Sequence, residues 1–385
     1  MATVTLQGLT KRFGKTRAVD ELDLVVEDGE FFVLLGPSGA GKTTTLSLIS
    51  GLEAPDSGQI LLGADDVTSV DPWKRDVAMA FESYALYPHM SVFDNIAFPL
   101  RAPARSPRLS KPEIKEQVQR IAKMLQIDQL LERSPSQLSG GQRQRTSLGR
   151  MLVRHPCAFL MDEPIVHLDA KLRHHMRGEF KQLHEQFRVT TLYATPDWVE
   201  AVAMGHRIAV LNHGRVVQTG TPDEIYNQPV NRFVADFVGE PPMNILNGQL
   251  AHRDGHLLFD LGGYQIALGK PLEHALANAA SAEWQIGVRP SAVRLESAQS
   301  PPARLPATVF VSEPMGRNTI IETRLAGQSM TVKVSGLMAL RPETPVWLDI
   351  DVDQLHAFDR RTGMRLRVDA IPPPMQVTGA ARDAT

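Results

Sequence analysis

Apolar and polar positions alternate over Val4 to Leu9 and again over Leu22 to Val26, the period of strands that bury one face. Phe31 to Leu35 is a continuous apolar run and predicts a buried strand, followed by a helix whose inner face carries Leu46 and Ile49. Ile114, Val118, Ile121 and Leu125 recur at helical spacing after a Pro-rich, basic connection between Arg101 and Pro112. Ala158 to Met161, Thr190 to Thr195 and Arg207 to Leu211 predict further buried strands, and Asn212 to Arg215 a hairpin turn. Strands alternating with helices define an α/β unit with a parallel sheet. The Gly239 to Pro242 punctuation predicts a domain boundary, giving an α/β domain over 1–238. Short alternating strands separated by Gly and Pro over 239–369 predict a small all-β barrel of the oligonucleotide/oligosaccharide-binding type. The Pro-, Ala- and Gly-rich stretch 370–385 predicts a disordered tail.

The connection between the Phe31 strand and its helix has the form G-x-x-x-x-G-K-[ST]: Gly36, Pro37, Ser38, Gly39, Ala40, Gly41, Lys42, Thr43, with Thr44 following. Strand before and helix after is the context this phosphate loop requires. The glycines let the backbone curl so that successive N–H groups face phosphate oxygens, and the helix N-terminus adds its positive dipole end. Lys42 supplies a point charge to the β- and γ-phosphates, and the Thr43 hydroxyl is a candidate ligand for Mg²⁺. The ligand expected from these residues is a nucleoside triphosphate.

A second motif narrows the class. Leu138 to Arg145 reads Leu-Ser-Gly-Gly-Gln-Arg-Gln-Arg, ahead of the apolar segment that ends in the acidic pair Asp162-Glu163. In this order and content the chain resembles the ATP-binding-cassette (ABC) ATPases. Glu82 to Leu100, Phe159 to Pro164 and Leu168 to Arg173 are similar to the ATPase subunits of sugar and polyol importers of the maltose type. Gly239 to Asn244, Gly287 to Pro290, Ser312 to Gly316 and Leu355 to Gly363 resemble that subfamily's accessory β-domain. The resemblance implies a helical subdomain over about 84–155 that presents Ser139, Gly140, Gly141 and Gln142 to the γ-phosphate held by a second subunit. It also implies adenine stacking on Phe13, Mg²⁺ binding by Asp162, and Glu163 as the general base toward the attacking water. Asp169 falls where the family's dimer-crossing loop carries its aspartate. The apolar segment Ser83 to Asn95 is expected to receive a cytoplasmic helix of a permease.

Two positions depart from the pattern. Where relatives carry a glutamine that contacts Mg²⁺ and the water, this chain has Glu82. A carboxylate is a hard ligand for Mg²⁺, yet it faces an anionic γ-phosphate. Relatives read Thr-His-Asp where this chain reads Thr195-Pro196-Asp197. Proline has neither a side-chain donor nor a backbone N–H, and losing one preorganised donor costs about 10²–10³ in rate. His167, on the crossing loop, is the only plausible substitute; His174, His175 and His206 are expected at the surface or in loops. A homodimer would carry two such sites, whereas a paralogous partner would keep one fast site completed by this chain's Ser139 to Gln142. A paralogue is therefore the expected second ATPase subunit, alongside two permease subunits and a periplasmic or lipid-anchored solute-binding protein.

Composition adds exclusions. With 41 Lys and Arg against 43 Asp and Glu, the net charge of −2 leaves no basic footprint for nucleic acid. No apolar run approaches the about 18 residues of a membrane span, and no secretory signal pattern opens the chain. The expected location is the cytoplasmic face of the inner membrane, reached through partner proteins. The single cysteine, Cys157, excludes an internal disulfide and is expected to act as a small apolar residue entering the strand that ends at Asp162.

Overall fold

The computed structural model describes residues 2–80, 86–101, 109–154, 156–166, 169–279, 283–296 and 305–368. The chain forms two compact units, Met1–Gln228 and Pro229–Thr385. In chain order the first contains β1 (Val4–Phe13), β2 (Thr16–Val26), β3 (Phe31–Leu35), α1 (Lys42–Ser50), β4 (Ser57–Leu62), β5 (Asp65–Asp66) and β6 (Val77–Ala80). These are followed by α2 (Val92–Ala97), α3 (Lys111–Met124), α4 (Gly140–Leu152), β7 (Ala158–Asp162), α5 (Ala170–Phe187), β8 (Thr190–Thr195), α6 (Trp198–Met204), β9 (Arg207–Asn212), β10 (Arg215–Gly220) and α7 (Pro222–Asn227).

The central sheet runs β10-β9-β3-β8-β7-β6, parallel except for the β9–β10 hairpin. Every residue of β3, β7 and β8 is buried, as strands covered on both faces must be. Register decides what the sheet presents: Leu35 pairs with Thr195, and Asp162 with Ala194. The carboxyl ends of three neighbouring strands therefore lie side by side, the usual place for a ligand on a parallel sheet. A second, antiparallel sheet, β2-β1-β4-β5, carries Phe13 at the end of β1.

α3 buries Ile114, Val118 and Ile121, with Leu125 closing the same face beyond its C-terminus. Ser110 and Glu113 form a reciprocal capping box that fixes where this helix starts. The β9–β10 turn places His213 and Gly214 both at positive φ, which a two-residue hairpin requires.

The division at Gln228 falls ahead of the boundary expected at Gly239. The intervening helix α8 (Arg232–Phe237) is tied to the second unit, because the buried Arg289 guanidinium donates to the carbonyls of Ala235 and Val238. Residues 370–385 lie outside the described residues. The remaining elements of the second unit are β11 (Asn244–Asn247), β12 (Gln249–Arg253), β13 (His256–Asp260), β14 (Gln265–Ala267), α9 (Lys270–Ala277), β15 (Trp284–Val288) and β16 (Val293–Glu296). β17 (Leu305–Met315), β18 (Asn318–Leu325), β19 (Gln328–Ser335), β20 (Pro345–Ile350) and β21 (His356–Asp359) complete it. They form three antiparallel sheets, β11-β15-β21, β12-β13-β14 and β16-β20-β17-β18-β19, so the strand architecture is all-β as the alternation predicted. Leu246, Phe259, Ile286, Val309, Val332 and Leu348 share one core.

Candidate nucleotide site

The phosphate loop joins β3 to α1, and its close approaches to neighbouring backbone make glycine necessary. Gly41 is the N-cap of α1 at φ 104, and a Cβ there would lie 2.4 Å from the Ala18 carbonyl oxygen. A Cβ on Gly36 would lie 2.5 Å from the Leu211 carbonyl oxygen. The loop is held from two sides, Gly36 N–H donating to Thr195 O (3.4 Å) and Gly214 N–H to Ala40 O (3.0 Å), and is closed internally by Ala40 N–H donating to Pro37 O (3.1 Å). Ser38, Gly39 and Thr43 face solvent at its crest, while Pro37 and Thr44 are half-buried. The bracing from Gly214 was not foreseen; only the tertiary structure brings the hairpin turn to the loop.

Lys42 is 4% exposed, and its ammonium donates to Gly36 O (3.0 Å) and Pro37 O (3.2 Å) while its nitrogen lies 3.2 Å from Glu163 Oε1. Three acceptors match the three protons of the group. The Thr43 hydroxyl donates to Oδ1 of the buried Asp162 at 3.0 Å. Glu163 sits at φ 45, a left-handed conformation uncommon outside glycine, and its N–H donates to Ala194 O at 3.0 Å. This backbone turns the Glu163 side chain back toward Lys42 immediately after the strand ends. Four residues named from the sequence, Lys42, Thr43, Asp162 and Glu163, thus converge at the carboxyl edge of the sheet.

Thr43 Oγ1 and Asp162 Oδ1 are adjacent hard oxygen donors, a set that suits a small divalent cation. Above them the loop supplies a curled backbone, a helix N-terminus and a lysine, which suits a polyphosphate. Phe13 is 49% exposed, with Lys11 Nζ 5.2 Å from its ring centroid, an accessible aromatic ring in the loop's own unit that suits a planar ligand.

The second motif forms the start of α4. Ser139 is the N-cap: its hydroxyl accepts from Gln142 N–H at 3.4 Å, and Gln142 Oε1 accepts from Ser139 N–H at 3.0 Å. The bonds of Ser139 and Gln142 close on one another rather than on the phosphate loop. Gly140 has nothing within 4 Å of a would-be Cβ, so the helix start can be approached closely. The buried Gln144 amide donates to Pro164 O at 2.7 Å, fastening this helix to the residue after Glu163. That link was missed by the sequence reasoning, although the position within Gln-Arg-Gln-Arg was visible.

At the exit of β8 the structure places Pro196 directly after Thr195, whose hydroxyl donates to Glu200 Oε2 (2.8 Å) and accepts from Asp197 N–H (3.1 Å). Glu82 and His167 lie outside the described residues. His174 and His175 are exposed on α5, with His175 Nε2 2.9 Å from Glu179 Oε1. His206 is exposed immediately before β9, where its Nδ1 accepts the Phe31 N–H at 3.1 Å. Phe31 begins β3 and Leu35 ends it, so His206 stands at the opposite edge of the sheet from Lys42. Cys157 is half-buried against the core below β7, and burial pushes its thiol up to about 11, keeping it protonated.

A phosphate loop at a parallel-sheet edge, an adjoining acidic pair and a glycine-rich helix start presented elsewhere on the same unit define a P-loop nucleotide-binding cassette. Comparisons agree. The ABC transporter family model matches residues 19–166 and the TOBE domain model residues 286–358. The trehalose/maltose import ATP-binding protein MalK of Thermococcus litoralis is 44% identical over 377 residues, covering 94% of this chain and 99% of the relative. The sn-glycerol-3-phosphate import ATP-binding protein UgpC of Salmonella typhi is 41% identical over 367 residues, covering 95% of this chain and 100% of the relative. The dimeric structure of a bacterial ABC transporter cassette aligns with TM-score 0.52 and 28% identity, over 57% of this chain and 98% of that one. The chain belongs to the ABC transporter family. Its fold binds nucleotide, and its activity is that of an ATPase coupled to transport.

Proposed function

We propose that this chain is the ATP-binding subunit of an importer for a small sugar, polyol or related solute such as a polyol phosphate. The observation that carries the proposal is the convergence of Lys42, Thr43, Asp162 and Glu163 at one sheet edge. The names of the MalK and UgpC relatives support the solute class. No helix among the described residues is long and apolar enough to cross a membrane, and attachment to the cytoplasmic face of the membrane runs through permease partners.

The chain's own residues divide the work. Loop amides and Lys42 bind the β- and γ-phosphates, and Phe13 stacks on adenine. Thr43 and Asp162 would hold Mg²⁺, with Glu82 a further candidate ligand, and the ion would neutralise phosphate charge. Glu163, released from Lys42 by the arriving phosphate, accepts the proton of the attacking water. Pro196 supplies no donor to the γ-phosphate, so hydrolysis at this chain's own loop is slow. Ser139, Gly140, Gly141 and Gln142 serve the loop of a second cassette. Pairing of two cassettes is supported by the dimeric relative, and a paralogous partner would retain one fast site. A solute-binding protein delivers cargo to the permeases.

Uptake by the complete transporter, measured with labelled solute, tests the reading and the dimer together. Ser139→Arg, which crowds an anion site, abolishes uptake. Glu163→Gln costs far less when the partner is a paralogue, and as much as Ser139→Arg when it is a second copy. Full uptake with both substitutions overturns the proposal.

A further inference from the structure

Tyr193, Ala194 and Thr195, the last three residues of β8, do more than complete the sheet. Ala194 O accepts the N–H of Glu163 at 3.0 Å, and Thr195 O accepts the N–H of Gly36 at 3.4 Å. The backbone of the general base and the first residue of the phosphate loop therefore hang from two adjacent carbonyls of one strand. The side chains flanking Ala194 are pinned by a single carboxyl group. Tyr193 OH donates to Glu200 Oε2 at 2.9 Å and Thr195 Oγ1 donates to the same oxygen at 2.8 Å. Glu200 lies on α6 and is 2% exposed. It is fixed in turn by its own N–H, which with that of Val199 donates to Asp197 Oδ1, the N-cap of α6. Asp197 N–H returns to Thr195 Oγ1.

We propose that Glu200 is a positioning residue of the nucleotide site, which clamps the end of β8 so that Gly36 and Glu163 keep their spacing. The inference rests on the nucleotide-site reading given above. A buried carboxyl group is an expensive device for packing alone, since apolar residues of similar size fill space without a desolvation cost. Its value here lies in joining two hydroxyls on either side of the residue that holds Glu163. Burial also raises the Glu200 pKa, an effect opposed by both hydroxyl donors. Because both hydroxyls meet one oxygen, a neutral amide carbonyl can accept the same pair. The Pro196 substitution sharpens the need for the clamp: a prolyl residue offers no N–H with which the strand exit could be tied.

The test uses the full chain, with Mg-ATP affinity read by titration and phosphate release read in single turnovers with protein in excess. Glu200→Ala is expected to lower the single-turnover rate by roughly tenfold to a hundredfold, the cost of displacing a catalytic group by up to about 1 Å. Mg-ATP affinity falls as well, because Gly36 shares the anchor. Glu200→Gln restores both to within about twofold. Thr195→Val, which removes one donor at nearly constant volume, reproduces the Glu200→Ala loss, and the double variant is no worse than either single one because both cut the same link. Thermal unfolding is followed in parallel. A Glu200→Ala chain that melts earlier but hydrolyses at the unaltered rate overturns the positioning role, and so does failure of Glu200→Gln to rescue while the protein remains folded. An unaltered chain that does not bind Mg-ATP overturns instead the reading on which the inference rests.

Discussion

Replacing Glu163 by glutamine separates binding from chemistry at this site. Lys42 Nζ lies 3.2 Å from Glu163 Oε1, with the two side chains 4% and 22% exposed. At that separation and an effective dielectric of about 20, the Coulomb attraction is about 5 kcal/mol. Desolvation of both groups offsets most of it, leaving a net contribution of about 1–2 kcal/mol. An incoming phosphate must displace this carboxylate from Lys42 and then lie beside it. The amide keeps the volume of the side chain but removes the competing charge. Lys42 retains its bonds to Gly36 O and Pro37 O, so the loop stays assembled. ATP affinity should therefore rise by about fivefold to thirtyfold, the equivalent of 1–2 kcal/mol. Turnover should fall by about 10²-fold or more, the usual contribution of a general base. Titration with a fluorescent ATP analogue, with the divalent ion chelated to stop hydrolysis, reads the first quantity; phosphate release in single turnovers reads the second. Added salt should narrow the affinity difference, because the site is partly open. Unchanged turnover would refute the role of Glu163, and weaker ATP binding by the amide variant would refute the competition for Lys42.

Three further outcomes can be checked independently. Pro196→His should raise steady-state ATP hydrolysis by at least about tenfold if the missing donor limits the site, and an unchanged rate would show that the limit lies elsewhere. Gly41→Ala should eliminate ATP binding, because its Cβ would fall 2.4 Å from the Ala18 carbonyl oxygen at φ 104; binding by titration calorimetry near the unaltered affinity would contradict the geometry. His184 stacks on Phe31 with ring centroids 5.2 Å apart, and burial followed by the nearby His206 lowers its pKa from 6.5 to about 4. The folded state thus resists a proton that the unfolded chain takes up. The contribution is complete above about 6.5 and is lost as pH falls toward 4, so His184→Phe should flatten the melting temperature across that window, and an unaltered slope would remove the assignment.

Much of the first unit was legible because its signals are local. A strand-to-helix turn with glycines at fixed places can be recognised wherever it occurs, since close backbone approach excludes other residues at Gly36 and Gly41, and a positive φ does so again at Gly41. The apolar periods of β3, β7, β8 and α3 were equally plain, because burial on two faces or one stripe is written in side-chain type. The acidic pair could be named as chemistry only beside the phosphate loop, since adjacent carboxylates at a strand end are otherwise ordinary. The start of the second unit was less plain: Pro229 marks it only as one proline among many, and a guanidinium from distant Arg289 decides where residues 229–238 pack.

By itself, then, the sequence determined the residue types able to bind a nucleotide, the strand and helix that frame them, and the absence of any side-chain or N–H donor at Pro196. It could not show that Lys42 would be paired with Glu163, that Gly214 would brace Ala40, or that Glu200 would gather the hydroxyls of Tyr193 and Thr195. The Lys42–Glu163 contact joins segments brought together by sheet register, Leu35 beside Thr195 and Asp162 beside Ala194, and the Gly214 brace follows from β9 pairing with β3, whereas Glu200 meets its two hydroxyls across the short β8–α6 connection. Strand order and register arise from burying many apolar side chains at once, a global optimum that no short window of sequence contains. Tertiary structure alone therefore sets the distances, and at separations near 3 Å distances decide which charge meets which.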